Sequence, residues 1–296
     1  AANLTVASSV ATGYVTLLSL DEQLRVTQQT LKAREDAFNL AKRQFETGYT
    51  SRLELMQADS ELRSTRAQIP SLQHQIAQQE NALSLLLGAN PGAVKRNAFA
   101  QLTPLSLPSQ LPSTLLNRRP DIVQAQRQLA SSQAQLLPSI NLTATGSMQD
   151  RTLPDLLDNP LRLWSLGGSI LAPLLNRQAL NAQVDVSMAQ RNQALYSYEK
   201  TVRGAFKEVN DSLDAIGRYG EQLTELQAQE DVARETLRIA QNRYRNGYSS
   251  YLDVLDAQRT LFSTQLSVVQ VKNNLLLAQV DLYRSLGGGW SDSSGM

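Results

Sequence analysis

Two stretches of this chain set apolar and polar residues in the same order. Leu24, Leu31, Phe38 and Phe45 recur every seven residues; Leu223, Leu237 and Tyr244 hold the corresponding places further on, with Leu226, Ala233 and Ala240 between them. This 3-4 spacing lays one apolar seam along a helix and predicts coiled-coil-like packing. Both runs stop at a glycine, in "TGYTSRLELMQADSELRSTR" from Thr47 and "NGYSSYLDVLDAQRTLFSTQ" from Asn246. Gly48 and Gly247 suit the left-handed conformation that ends a helix. Ser51-x-x-Glu54 and Ser250-x-x-Asp253 have the capping-box spacing that starts the next one. Each stretch therefore predicts a tight reversal between two antiparallel helices.

The likeness extends well beyond the reversals. A shift of 199 residues, the distance from Gly48 to Gly247, aligns much of 1–88 with 200–287 without a gap. Glu22-Gln23-Leu24 meets Glu221-Gln222-Leu223, Ala41 meets Ala240, and Leu87-Gly88 meets Leu286-Gly287. A constant offset over so long a span points to a duplicated unit. The second returning helix carries two apolar stripes. One runs through Leu252, Leu255, Phe262, Leu266, Val269, Leu276, Val280 and Tyr283, the other through Val254, Ala257, Leu261, Val268, Val271, Leu275, Ala278 and Leu282. A lone hairpin needs one stripe; two predict packing on both sides, as in a closed ring of helices. The helix before it has no proline from about Asn176 to Arg245. Its roughly 70 residues would extend roughly 105 Å, deeper than a single globular core. Pro70 is expected to kink the first returning helix.

Between the two units the pattern changes. Residues 88–120 are rich in proline and read as an irregular connector. Residues 121–137 form a short helix that Pro138 ends. Next, Ile140, Leu142 and Ala144 alternate with Asn141, Thr143 and Thr145, and Trp164, Leu166, Gly168 and Ile170 share one face of a second candidate strand. Period two predicts a β-hairpin within 138–173, with a loop over 146–162. Strands of about 10 residues are long enough to cross a bilayer as part of a barrel, and an ordinary hairpin on a soluble domain fits the same pattern. In lipid a lone hairpin would leave its edges unpaired, so a membrane role requires partners. The expected organisation is helical hairpin 1–87, connector 88–120, helix 121–137, β-hairpin 138–173, helical hairpin 174–286 and tail 287–296. The repeat also leads us to expect a further hairpin encoded upstream of Ala1.

Composition narrows the chemistry. The net charge is +1 and aromatic residues make up 5%, which gives no strong attraction to nucleic acid. There is no cysteine, which removes disulfides and thiolate metal sites. His74 is the only histidine and reads as a solvated helix residue. No run of 18 apolar residues suggests a transmembrane helix, and no signal peptide is visible. "LGGGW" lacks the Lys-Ser/Thr of a phosphate loop, so no enzyme, cofactor or metal site is expected.

"RRPDI" (Arg118–Ile122), "LLPSINLTATGS", "YEKTVRGAFKEVNDSL", "NRYRNGYSSYLDVLDAQRTLF" and "LYRSLGGGW" resemble the outer membrane factor family, TolC-like proteins. More narrowly, they resemble its NodT-type efflux lipoproteins, which serve RND-type pumps. The resemblance covers nearly the whole chain. It implies a mainly α fold with a small β part: a homotrimer whose long helices form a periplasmic α-barrel and whose hairpins share an outer membrane β-barrel. It implies a passive exit duct with two partners, a periplasmic adaptor protein and an inner membrane RND transporter. The family's first hairpin and its lipidated N-terminal cysteine lie outside this chain. The helix before Pro138 is about two turns shorter than the family pattern.

The resemblance also assigns roles at the reversals. Asp253 and Asp256 lie three apart and so share a helix face. In the family, aspartates at these positions ring a closed periplasmic gate, where clustered charge selects cations. Position alone favours the plainer reading, acidic residues stabilising a helix start. Tyr244 resembles the tyrosine that helps to lock the coils shut, with Arg243 and Arg245 as neighbouring latches. Gly48, Tyr49, Ser51, Gly247, Tyr248 and Ser249 would form the tip that meets the adaptor. Two other readings fit parts of the chain, a periplasmic adaptor with a helical hairpin and a structural coiled coil. The second hairpin weighs against the adaptor, and the strand pair and the proline-rich middle weigh against the coiled coil.

Overall fold

The computed structural model describes residues 2–102, 119–134, 141–149, 161–169 and 177–288. The elements follow the order α1 (Ala2–Glu46), α2 (Arg52–Leu86), a short 3-10 turn (Phe99–Gln101), α3 (Pro120–Ala134), β1 (Asn141–Gln149), β2 (Leu161–Ser169), α4 (Arg177–Arg245) and α5 (Tyr251–Ser285). They divide into two compact units, one of residues Ala1–Arg119 with Ala205–Met296 and the other of Pro120–Gly204. The fold is mainly helical with a two-stranded sheet, as the sequence pattern leads one to expect.

In the first unit, α1 is the central helix. Its Leu17 and Leu20 pack against Ile76 and Leu83 of α2. Its Val15 and Leu18 pack against Val269 and Leu276 of α5. Gly13 permits the close approach of α2, because a Cβ there would meet Leu83 Cδ2 at 2.9 Å. The two apolar stripes of α5 separate towards its C-terminal end, whereas near its start Val254 of the second stripe joins Leu255 of the first in one cluster with Ala41 and Ala58. Leu275, Ala278 and Leu282 face Val209 and Ile216 of α4, and the Leu255 to Leu276 stripe faces α1. The stripes fade at their ends, where Leu252 and Tyr283 are exposed. Helix α2 continues through Pro70.

One 18-residue window within α1 is apolar enough, by composition, to cross a bilayer. The sequence reading had not anticipated this. Leu17 and Leu18 of α1 are fully enclosed by α2 and α5, although only 33% of that window is buried.

The connector after α2 is held down residue by residue. Arg96 pairs with Asp21 of α1 (Nε–Oδ2 2.5 Å) and with Glu80 of α2. The Asn97 amide donates to the Tyr14 hydroxyl at 3.2 Å. Phe99 then buries its ring between α1 and α5, and Lys272 caps it, donating to the Phe99 carbonyl at 3.2 Å with its ammonium 4.9 Å from the ring centre. Burial is the larger influence on Lys272 and lowers its pKa. At the connector's far end, buried Arg119 binds Glu208 Oε2 at 2.8 Å and the Ser285 carbonyl at 3.2 Å. The rest of the connector (103–118), the end of the short helix (135–137), the tip of the expected β-loop (150–160) and the tail from 289 lie outside the described residues.

In the second unit, β1 and β2 pair antiparallel, with Ala144 opposite Leu166, Thr145 opposite Ser165 and Gly146 opposite Trp164. Pairing continues to Gln149 and Leu161, so both strands run into the expected loop over 146–162. Ladder hydrogen bonds extend the strands through residues that the alternation leaves ambiguous. Side chains alternate across a sheet, so Ala144, Trp164 and Leu166 share one face while Thr145 and Ser165 share the other. The two hydroxyls of that polar pair are 2.6 Å apart. Trp164 is 82% exposed and Leu166 75%, an apolar face without cover among the described residues.

Candidate functional site at the helix reversals

Both reversals are built the same way. Gly48 has φ +80° and Gly247 φ +77°, values that L side chains rarely adopt. Tyr49 N–H reaches back to the Gln44 carbonyl at 2.8 Å and Gly48 N–H to that of Phe45 at 3.0 Å. Tyr248 and Gly247 repeat this on Arg243 and Tyr244 at 2.8 and 2.9 Å. These paired bonds define a Schellman ending, and the same pair closes α2 at Gly88 and α5 at Gly287. Ser51 caps α2, its hydroxyl accepting from the Glu54 amide at 3.3 Å. At the second reversal the capping box forms, and Asp253 reaches back as well, Oδ2 accepting from the Ser250 amide at 3.2 Å. The caps differ because Glu54 is engaged elsewhere, by the Thr50 hydroxyl.

That engagement extends to the other hairpin. The Tyr244 hydroxyl lies 3.1 Å from Gln44 Oε1 and 3.3 Å from Glu54 Oε2, joining the end of α4 to α1 and α2. Its ring sits 5.4 Å from that of Tyr251, tilted by 52°. Ala41, Ala58, Val254 and Leu255 complete an apolar cluster beneath. Burial raises the pKa of Tyr244, and the Glu54 carboxylate raises it further. Burial pushes Tyr251 up to about 12. The folded state therefore holds the proton of Tyr251 more tightly than the unfolded chain, where tyrosine titrates near ~10. Its contribution to stability is complete below that pH and is lost as pH rises towards about 12. Tyrosinate absorption during alkaline titration will show tyrosines that titrate late, and the latest of them will be absent in Tyr251→Phe.

Asp253 and Asp256 are both exposed and line one groove with Arg243, Val232 and Ile239. Asp256 Oδ1 is 3.4 Å from Nη1 of Arg259. Arg243 turns to its own reversal, 3.5 Å from the Tyr248 carbonyl. Arg245 is exposed beside the Tyr244 groove. Tyr49 is 87% exposed and Tyr248 77%, so each reversal presents an aromatic ring to solvent. Gly48, Ser51, Gly247 and Ser249 lie beside these rings. His74 is exposed on α2.

The sequence reading missed one group. Arg34 of α1 is 5% exposed, and its guanidinium lies 5.5 Å from the centre of the Phe262 ring of α5. Its Nη1 binds Glu61 Oε2 at 2.8 Å and the Glu61 carbonyl at 2.9 Å, and also reaches the Thr65 hydroxyl. Glu61 Oε1 accepts from Arg259 of α5 at 2.6 and 2.9 Å. One carboxylate on α2 thus binds an arginine from each of two other helices. Desolvation lowers the pKa of Arg34, and Glu61 opposes the shift. The signal was present in the sequence: Arg34 stands between Leu31 and Phe38, a charge at a seam position.

Residues 1–89 and 111–288 match the family model of the outer membrane efflux protein. The chain belongs to that family. Among its relatives in the family, the probable efflux pump outer membrane protein TtgC of Pseudomonas putida is 34% identical over 97% of the chain and 61% of its own length. The pyoverdine export outer membrane protein OpmQ of Pseudomonas aeruginosa is 35% identical over 99% of the chain and 64% of its own length. The solved outer-membrane channel OprN superposes with a TM-score of 0.81 at 28% identity, over 97% of this chain and 67% of that one. The chain thus spans somewhat less than two thirds of the length of these two relatives.

Proposed function

We propose that this chain is the greater part of an outer membrane channel in a tripartite, RND-type efflux pump. It serves as a passive exit duct for drugs or metal ions across the periplasm and outer membrane of a Gram-negative bacterium. It works as a homotrimer, with a periplasmic adaptor at the two reversals and an inner membrane transporter supplying the energy. The observation that carries this reading is a one-sided β-hairpin, apolar at Trp164 and Leu166, in a family-matched chain whose helical unit is duplicated. Hairpin edges in lipid must be paired by other copies, and the doubled helical units supply the walls of a ring.

In this reading Asp253 and Asp256 ring the periplasmic gate, with Tyr244 as its lock and Arg243 and Arg245 beside it. Gly48, Tyr49, Ser51, Gly247, Tyr248 and Ser249 form the adaptor-facing tip. The test is the full-length protein. It should fractionate with the outer membrane, leave it only in detergent, migrate as a trimer and conduct ions in planar bilayers. A water-soluble monomer would end the proposal. Trp164→Arg should weaken insertion of the hairpin by up to ~2–4 kcal/mol if the site lies near the bilayer midplane. Denaturant titration of the protein folded into vesicles measures this.

A further inference from the structure

The second reversal carries the only Asn-Gly pair in the chain, Asn246-Gly247. Asparagine followed by glycine is the dipeptide most prone to spontaneous deamidation, because glycine has no Cβ to screen the side-chain carbonyl carbon from the next backbone nitrogen. The fold requires this glycine, which ends α4 at φ +77°. The asparagine has a task of its own. Its backbone amide and its Nδ2 both donate to the Asn242 carbonyl, at 3.2 and 2.7 Å. The Gly247 amide donates to the Tyr244 carbonyl at 2.9 Å. Asn246 is exposed, yet both groups that would react are tied to the last turn of α4. The repeat supplies a comparison. Thr47 holds the matching place at the first reversal, its amide and its hydroxyl both donating to the Arg43 carbonyl at 3.1 and 2.9 Å. It supports the helix end in the same way and has no amide to lose.

We propose that Asn246 is a site of spontaneous deamidation that the intact reversal restrains and fraying of the last turn of α4 releases. On fraying, the Gly247 nitrogen gives up its hydrogen bond, loses its proton to water and attacks Cγ of Asn246. The Cγ–Nδ2 bond breaks and ammonia leaves, closing a succinimide ring. Water then opens the ring at either carbonyl, giving aspartate or, with the backbone rerouted through Cβ, isoaspartate. The net reaction consumes one water and releases one ammonia, with no change of oxidation state. The product cannot do what the asparagine did. A carboxylate only accepts hydrogen bonds, so a donor to the Asn242 carbonyl becomes an acceptor repelled by it. The new negative charge also stands at the C-terminal end of a helix, where the macrodipole disfavours it. Isoaspartate further lengthens the backbone within the turn and spoils its paired Schellman bonds. The modification therefore loosens, irreversibly, the reversal that restrained it. In the proposed trimer it adds one carboxylate per copy to the reversal that bears Asp253 and Asp256; that consequence alone rests on the duct reading.

The full-length protein in detergent is incubated at mildly alkaline pH and physiological temperature, beside a synthetic peptide of residues 237–256. Digests taken over time are scored by mass spectrometry for the mass gain of deamidation at Asn246. Both should convert, the folded protein several-fold more slowly. Equal rates would overturn the restraint, and a folded protein still unmodified when the peptide is consumed would overturn the site. Neither readout depends on conduction or on trimer formation, so failure here leaves the duct proposal standing. A second measurement compares Asn246→Asp with Asn246→Thr by thermal unfolding. Asn246→Asp should unfold several degrees below wild type, whereas Asn246→Thr, which copies the arrangement at Thr47, should unfold near it. If the two variants unfold together, deamidation to aspartate leaves the reversal intact and the loosening is refuted.

Discussion

Glu61→Ala should be the most destabilising single change at the reversals, costing about 3–5 kcal/mol. The side chain of Arg34 is only 6% exposed and that of Glu61 14%, so little water can replace the lost carboxylate. Removing one partner of a buried pair leaves the other charge desolvated, and that penalty exceeds the net worth of the pair. Arg34→Met should cost less, because it removes the buried charge and leaves Glu61 its exposed partner Arg259. Glu61→Gln should fall between the two, keeping hydrogen-bond acceptors but not the charge. Thermal unfolding of the three variants, followed by circular dichroism, checks the order. If Arg34→Met proves as damaging as Glu61→Ala, packing on Phe262 rather than electrostatics holds the seam.

What was legible in the sequence was what repeats. Heptad leucines, the two glycines and the serine caps fixed the four long helices and both reversals, because each depends on a short window of chain. The two stripes of α5 could be read for the same reason, and their separation onto α1 and α4 followed towards its C-terminal end. The clasp was not legible, since Arg34, Glu61 and Arg259 meet only once three helices are placed together. A charged residue at a seam position is ambiguous in one dimension: it can break the seam, face solvent or find a partner across it. The asymmetry of the two caps was hidden likewise. Ser51-x-x-Glu54 and Ser250-x-x-Asp253 have the same spacing, but Glu54 is drawn away by Thr50 and Tyr244, the latter far along the chain. The strands were found by alternation, with 9 residues described in each against an expected length of about 10; the expected loop was set too wide, because pairing depends on the partner strand.

Removing both aspartates of the proposed gate should weaken block by divalent and trivalent cations about tenfold or more, a change of ~1.4 kcal/mol in binding. Three copies would place six carboxylates about one aperture, and clustered charge of one sign attracts cations. The structure separates the two residues by what else they hold. Asp253 also binds the Ser250 amide at the start of α5, so Asp253→Ala should cost ~1 kcal/mol of stability along with part of the block. Asp256 takes no part in that cap. Its other contact, Arg259 at 3.4 Å, remains anchored by Glu61 when Asp256 is lost. Asp256→Ala should therefore reduce block with little change in unfolding temperature, which a purely structural role for the pair does not predict. Because both carboxylates are exposed, the difference from wild type should shrink as ionic strength rises. Single-channel recordings of both single variants and the double variant at two salt concentrations, paired with thermal unfolding, distinguish a gate from a helix cap. Block that survives in the double variant would leave Asp253 a cap and Asp256 a surface residue.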